Sequence, residues 1–288
     1  MMNSKEQRIG EYFVLIKQAF KHSADRKKLK LKVQASIRWK KACKKYPIQH
    51  VSENPSTVSN YFSNEKIIIY TVIFGPYDLP LEPIVAPDNC EYIIITDQPV
   101  RTDSKWKKYD VSKIIPGFES LSNAEKNRYC KMLPHKIFPD VGYTIYIDGN
   151  IKVVTDLTEF VNHDFSCGMQ FHRHKARKCV YEEIDACKIM KKAPLKALDD
   201  YKSYLRDNGF PTDYGMVECN VIVRDNKSDV MKNVMEQWWR EYMDNDVKRD
   251  QLSLPFVFWK NRVDINNLCE LGNNVAENPA IRVVKHTT

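Results

Sequence analysis

The stretch Gly142-Tyr143-Thr144-Ile145-Tyr146-Ile147-Asp148-Gly149-Asn150-Ile151-Lys152-Val153 decides how the rest of the chain is read. From Val141 to Ile147 the residues are mostly β-branched or aromatic, the composition and length of a buried strand. The run stops at Asp148-Gly149-Asn150, and apolar residues resume at Ile151. A carboxylate at the end of a core strand is costly unless something pairs with it. Glycine at 149 permits a sharp turn that lets Asp148 and Asn150 present oxygens to one point. Two oxygens at the carboxyl end of a strand suit Mg²⁺ or Mn²⁺, which keeps waters and takes further ligands from substrate phosphates. The same tripeptide is equally an ordinary hairpin turn, so its surroundings must decide.

Upstream lie two more continuous apolar runs, Lys66 to Phe74 and Glu91 to Thr96, ending in Gly75-Pro76-Tyr77-Asp78 and Asp97-Gln98-Pro99. A weaker strand is expected over Trp106 to Val111. Ser122 or Asn123 caps a helix expected to run to about Met132, halted by Pro134. Downstream, a short strand from Phe165 to Phe171 leads into the basic loop His172-Arg173-His174-Lys175-Ala176-Arg177. Helices follow over Tyr181 to Lys191 and Pro194 to Asp207. Val217 to Arg224 is another strand, with Glu218 and Asn220 on one face. Ser228 to Tyr242 and a segment opening at Arg249-Asp250-Gln251 read as helices, Pro255 lying near the first turn of the second. Continuous apolar strands interleaved with helices argue an α/β fold, a mainly parallel sheet covered on both faces. Ligands gather at the carboxyl ends of such strands, where Tyr77-Asp78, Asp97 and Asp148-Gly149-Asn150 all fall.

The chain has 288 residues, enough for one large domain with an appendage, and 43% hydrophobic and 28% charged residues, ordinary for a globular protein. No apolar run approaches the ~20 residues needed to span a bilayer, and the start lacks the features of a signal peptide. The eight cysteines show no CxxC pair and read as reduced thiols of a cytosolic protein. The net charge of +8 is concentrated in residues 1–47, where Lys and Arg far outnumber Glu6, Glu11 and Asp25. Residues 5–21 form an amphipathic helix pattern. Residues 26–45 fit both a strand alternation and a helical stripe, and their Lys/Ala/Arg content favours helix. Residues 46–64 read as a linker, giving a basic helical arm over 1–60 and a catalytic-looking domain over 61–288. Such an arm suits an acidic membrane surface or simple packing on the domain. No zinc, RNP or basic-zipper signature points to nucleic acid.

Nucleophilic triads, Gly-x-Gly-x-x-Gly and Walker signatures are absent, which excludes the usual Rossmann dehydrogenases and P-loop enzymes. His172 and His174 lie two apart. They read as a zinc pair lacking a third ligand, as basic loop residues near a phosphate, or as solvated loop residues.

The order of motifs does point somewhere. Thr71 to Asp78, Ile95-Thr96-Asp97, Asn127-Arg128-x-x-Lys131-x-x-Pro134-His135 and Tyr146-Ile147-Asp148-Gly149-Asn150 are followed by Arg177 to Glu183, Glu218 to Arg224 and Arg249-Asp250-Gln251. In that order they resemble a glycosyltransferase-like family, long filed as a domain of unknown function, of bacterial polysaccharide clusters and plant cell-wall enzymes. The resemblance covers roughly residues 66–260. It implies a GT-A-like fold and transfer of a sugar from a nucleotide diphosphate, UDP-sugars being favoured, to a polysaccharide or glycolipid, with a lean towards retention. It places Phe74, Tyr77, Asp97, Arg128, Lys131, Asp148 and Gly149 on the donor, and Asp148 and Asn150 on Mn²⁺ or Mg²⁺, with His286 as a tail ligand. Asp250, Glu218 and Gln251 then fall at the reaction centre, and His172, His174, Arg177 and Asn220 on the acceptor or phosphate side. Asp-Gly-Asn in place of Asp-x-Asp implies weaker metal binding, and leaves open a non-catalytic nucleotide or glycan scaffold. A membrane adaptor working through the arm is the third reading, and a cytoplasmic protein, peripheral at the inner membrane face, is the expected setting.

Overall fold

The structure, a computed structural model, describes residues 33, 34, 36–38, 40 and 41, and 65–285 apart from 162–164 and 166. The expected helix over 5–21, the linker over 46–64 and His286 lie outside the described residues. Those described between 33 and 41 are helical, with Val33 and Ile37 exposed.

The strands are β1 (Ile67–Ile73), β2 (Cys90–Thr96), β3 (Lys107–Lys108), β4 (Tyr143–Ile147), β5 (Ile151–Val153), β6 (Met169–Arg173), β7 (Val217–Asp225) and β8 (Ile281–Val283). The helices are α1 (Asn123–Met132), α2 (Pro134–Ile137), α3 (Val180–Met190), α4 (Leu195–Asp207), α5 (Asp229–Asp244) and α6 (Asp250–Lys260). Six strands form one mixed sheet in the order β3-β2-β1-β4-β7-β6, and β5 pairs with β8 in a separate ladder. The contacts β3/β2, β2/β1 and β1/β4 are parallel, while β4/β7 and β7/β6 are antiparallel.

Successive side chains of β1 enter opposite cores. Ile68, Tyr70 and Val72 pack with α1 and α5, and Ile67, Ile69 and Ile73 pack with Trp106, Leu157 and Ile281. Burial on both faces is why the strand reads as a continuous apolar run. The helix α1 opens on a capping box: Glu125 N donates to Ser122 Oγ at 3.2 Å, and Ser122 N to Glu125 Oε2 at 2.9 Å.

Two expectations change. The strand over 106–111 shrinks to two exposed residues at the sheet edge, because Trp106 turns into the core beneath β2 and its Nε1 donates to Leu81 O. The strand expected over 165–171 instead runs to Arg173, with a register shift at Phe171/His172 that carries the first histidine into the sheet.

The antiparallel setting of β7 positions the site. Ile147 pairs with Val221, so the start of β7 lies beside the end of β4, and Asp148 N donates to Asn220 O at 2.8 Å. Glu218 and Asn220 thereby reach the edge where the parallel strands end.

Candidate active site

A cavity of about 370 Å³ opens at the carboxyl ends of β1 and β4, a volume suited to a small organic ligand. Phe74 and Tyr77 line it from the loop after β1, Asn123, Asn127 and Arg128 from α1, and Tyr146, Asp148 and Gly149 from β4 and its turn; Asp78 lines it too. The loop is shaped by Gly75, whose φ is 72° and whose N–H meets both oxygens of Asp97 at 3.0 and 3.1 Å. Asp97 is therefore committed to the backbone of this loop and does not line the cavity. Asn127 fixes α1 against β1 by donating from Nδ2 to Val72 O at 2.7 Å. Gly149 serves by its size, since a Cβ there would lie 3.1 Å from Ile73 Cδ1. Its φ lies outside the left-handed region, so the turn expected to need a glycine conformation needs space instead.

Behind the cavity the charged residues form one chain of contacts. Tyr146 donates from its hydroxyl to Asp148 Oδ1 at 2.7 Å, and Lys131 Nζ lies 3.4 Å from the same oxygen. Lys131 also reaches Asp250 Oδ2 at 2.7 Å, which Arg128 Nε approaches at 3.1 Å. Asp250 is the first residue of α6, and Trp238 anchors that turn by donating from Nε1 to Asp250 O at 3.0 Å. Burial raises the Asp250 carboxyl, but the charges of Arg128 and Lys131 outweigh it and hold the group far below the usual carboxylate range. Asp250 is thus the carboxylate that Arg128 and Lys131 share. Arg128 is correspondingly locked in its charged form, the Asp250 carboxylate overcoming the cost of burial. Next along, Gln251 donates from Nε2 to Glu218 Oε2 at 3.2 Å, and Lys175 N reaches Glu218 Oε1 at 3.4 Å. Burial pushes the Glu218 carboxyl above its ordinary range.

A profile of the TOD1/MUCI70, glycosyltransferase-like domain family matches residues 51–286. The chain belongs to this family. It is 20% identical over 219 residues to the probable hexosyltransferase MUCI70 of Arabidopsis thaliana, a match that takes in 66% of this chain and 37% of that protein. The match thus spans little more than a third of that relative's length. Among solved structures it is similar to mouse xyloside xylosyltransferase 1 in its apo form, with TM-score 0.44, 11% identity and coverage of 69% of this chain and 83% of that one. It is also similar to the apo WbbM bifunctional glycosyltransferase, with TM-score 0.39, 10% identity and coverage of 78% and 40%.

In this TOD1/MUCI70-type domain the two histidines do not form a basic loop. His172 is fully buried on β6, its Nε2 3.0 Å from Asn278 Nδ2. His174 accepts from Ala176 N and Arg177 N at Nδ1 (3.3 and 2.9 Å). Burial holds both rings neutral, with pKa lowered to about 4. Arg177 pairs with buried Glu183 at 2.6 Å; with His174 it lines a second, smaller cavity of about 150 Å³. Neither histidine carries charge to a phosphate near neutral pH. Because both folded values lie below the ordinary ~6.5, stability should fall as pH drops from about 6.5 towards 4. Thermal melts across that window should show the fall, and His172→Gln should flatten part of it.

Asn220 contributes its backbone to Asp148, while its own Oδ1 is buried without a hydrogen-bond partner among the described residues. Asn150 donates from Nδ2 to Val284 O at 3.1 Å, tying the turn to the segment after β8. Asn123, Asn127 and Tyr146 line the cavity although their sequence signals were those of a cap, a motif neighbour and a core strand residue. Only the position of Tyr146 two residues before Asp148, hence on the same face of β4, pointed to it.

Proposed function

We propose that this domain transfers a sugar from a nucleotide-diphosphate donor, a UDP-sugar being favoured, to a glycan or glycolipid acceptor. The observation that carries the reading is the cavity at the strand ends, lined by the aromatic Phe74 and Tyr77 and by Arg128, which shares Asp250 with Lys131. The base would stack on the aromatic side and the diphosphate would lie towards the cations.

A divalent cation has carboxylate oxygens to meet here, since Asp78 and Asp148 both line the cavity, and a diphosphate arriving beside them adds negative charge that such a cation would offset. Asp148, whose side chain is 34% exposed, and the Asn150 amide oxygen would hold Mn²⁺ or Mg²⁺. Among the described residues no three His, Cys, Asp or Glu cluster to bind a metal, so donor oxygens and water would supply most ligands. When bound, the ion would neutralise charge building on the leaving diphosphate.

The chain's own residues then divide the work. Tyr146 and Lys131 hold Asp148 in place, Arg128 faces the diphosphate, and Asp250 keeps both cations aimed. Glu218, steadied by Gln251, orients the acceptor hydroxyl. Neither Asp250 nor Glu218 lines the donor cavity, which favours retention, the acceptor proton passing to an oxygen of the departing diphosphate. The test is hydrolysis of a panel of UDP-sugars with Mn²⁺. Slow release of UDP should fall at least ~100-fold in Asp148→Ala at unchanged melting temperature. UDP binding with no turnover of any donor would favour a binding scaffold instead.

The basic arm is proposed as an address to the acidic inner face of a membrane. Its support is the excess of Lys and Arg over residues 1–47 and the exposed Val33 and Ile37, four apart on described helical residues.

A further inference from the structure

The ladder of β5 and β8 begins immediately after the Asp148-Gly149-Asn150 turn, and its outward face carries two like charges. Lys152 and Arg282 are register partners across it. Ile151, Val153 and Ile281 are buried on the other face, while Lys152 is half-buried and Arg282 exposed. Opposed side chains in an antiparallel pair lie ~4.5–5.5 Å apart at Cβ, and like charges so placed repel. Neither has an ion-pair partner among the described residues. A pair of this kind is tolerated best where an anion arrives from outside.

Apolar side chains are exposed along the opposite edge of β5. Ile84 N donates to Val153 O at 3.0 Å, so this segment lies about one strand spacing, ~4.8 Å, from β5. Ile84 is 55% exposed, and the same loop exposes Leu79 at 67% and Val85 at 38%. Lys105 reaches over the loop, donating from Nζ to Pro83 O at 3.0 Å and Ile84 O at 2.7 Å. Single exposed apolar residues need no explanation, but three in one loop framed by cations have the make-up of an interfacial seat. The loop continues directly from Tyr77 and Asp78, which line the donor cavity.

We propose that this edge seats the domain on an anionic bilayer. Leu79, Ile84 and Val85 enter the headgroup region, and Lys105, Lys152 and Arg282 meet lipid phosphates. A soluble polyanion would satisfy the cations but leave the apolar side chains in water, which is why the bilayer is the partner. The seat stands apart from the basic arm and from the chemistry in the cavity, and it brings the cavity mouth to the lipid surface.

The experiment is sedimentation of the full chain with vesicles of phosphatidylcholine alone and with about a third phosphatidylglycerol, in a background carrying Lys40→Gln, Lys41→Gln, Lys44→Gln and Lys45→Gln so that the basic arm does not supply the binding. The protein otherwise wild type should bind the anionic vesicles only. Lys152→Glu with Arg282→Glu, and separately Leu79→Ser with Ile84→Ser, should each raise the lipid needed for half-binding about tenfold. Melting temperature and UDP-sugar hydrolysis should be unchanged, which separates failure here from failure of the transferase reading. Wild-type vesicle binding by either double variant would overturn the proposal. So would a charge-reversed variant that loses binding to polyphosphate while still binding vesicles normally.

Discussion

Asp250→Ala is expected to destabilise the domain by about 3–5 kcal/mol and to lower donor turnover at least ~100-fold. Its carboxylate lies 2.7 Å from Lys131 Nζ and 3.1 Å from Arg128 Nε, with 10% of its side chain exposed. Removing it leaves Lys131, 2% exposed, and Arg128, 29% exposed, without the carboxylate they share, and breaking one side of a buried ion cluster costs more than forming it contributes. Asp250→Asn should retain more stability, because its amide oxygen still accepts from Lys131. Chemical denaturation reads the first effect and UDP release the second. The pH dependence has a definite sign. The folded value is depressed, so the contribution is present above the unfolded aspartate value near ~4 and is lost as pH falls towards the much lower folded value. Asp250→Asn should therefore lose stability relative to wild type at neutral pH and close the gap in strong acid.

Lys131→Met should lower turnover by about 100- to 1000-fold with a smaller loss of stability. Its ammonium is 2% exposed and bridges Asp148 and Asp250, and it also lies 5.0 Å from the centre of the Tyr146 ring. Its backbone is held separately: Arg224 Nη1 donates to Lys131 O at 2.7 Å, and Tyr70 donates from its hydroxyl to Cys130 O at 3.0 Å. The helix should therefore keep its place while the charge disappears, leaving Asp148 and Asp250 without the ammonium that bridges them. Turnover within a few-fold of wild type would remove Lys131 from the reaction.

The elements were legible where local chemistry and burial agree. The two-sided apolar runs at 67–73, 90–96 and 143–147, the cap at Ser122 and the start of α6 at Asp250 stand in the sequence much as they do in the fold. Strand direction was not legible, because an apolar run such as Val217–Asp225 reads the same in either orientation. Without its antiparallel setting, the neighbourhood of Glu218, Asn220 and Asp148 has no sequence signal. The contact between Lys131 and Asp250 spans 119 residues and likewise depends on the sheet order. His172 and His174 misled through composition: among Arg and Lys they read as a basic loop, whereas the bulge at Phe171/His172 keeps the chain in the sheet and buries one ring completely. Asp97 sits where a donor ligand was expected, but the left-handed turn at Gly75 takes its oxygens.

The seating of the nucleotide between β1, α1 and β4 is tested most directly by calorimetric titration of UDP with Mn²⁺ into the wild type and Ala124→Trp. Ala124 lines the cavity from the exposed first turn of α1, so the larger ring would fill the space while disturbing little else. The expected result is saturable heat in the wild type and affinity weakened at least tenfold in the variant, at similar melting temperature. Equal affinity in the two proteins, or no heat in the wild type, would contradict the assignment.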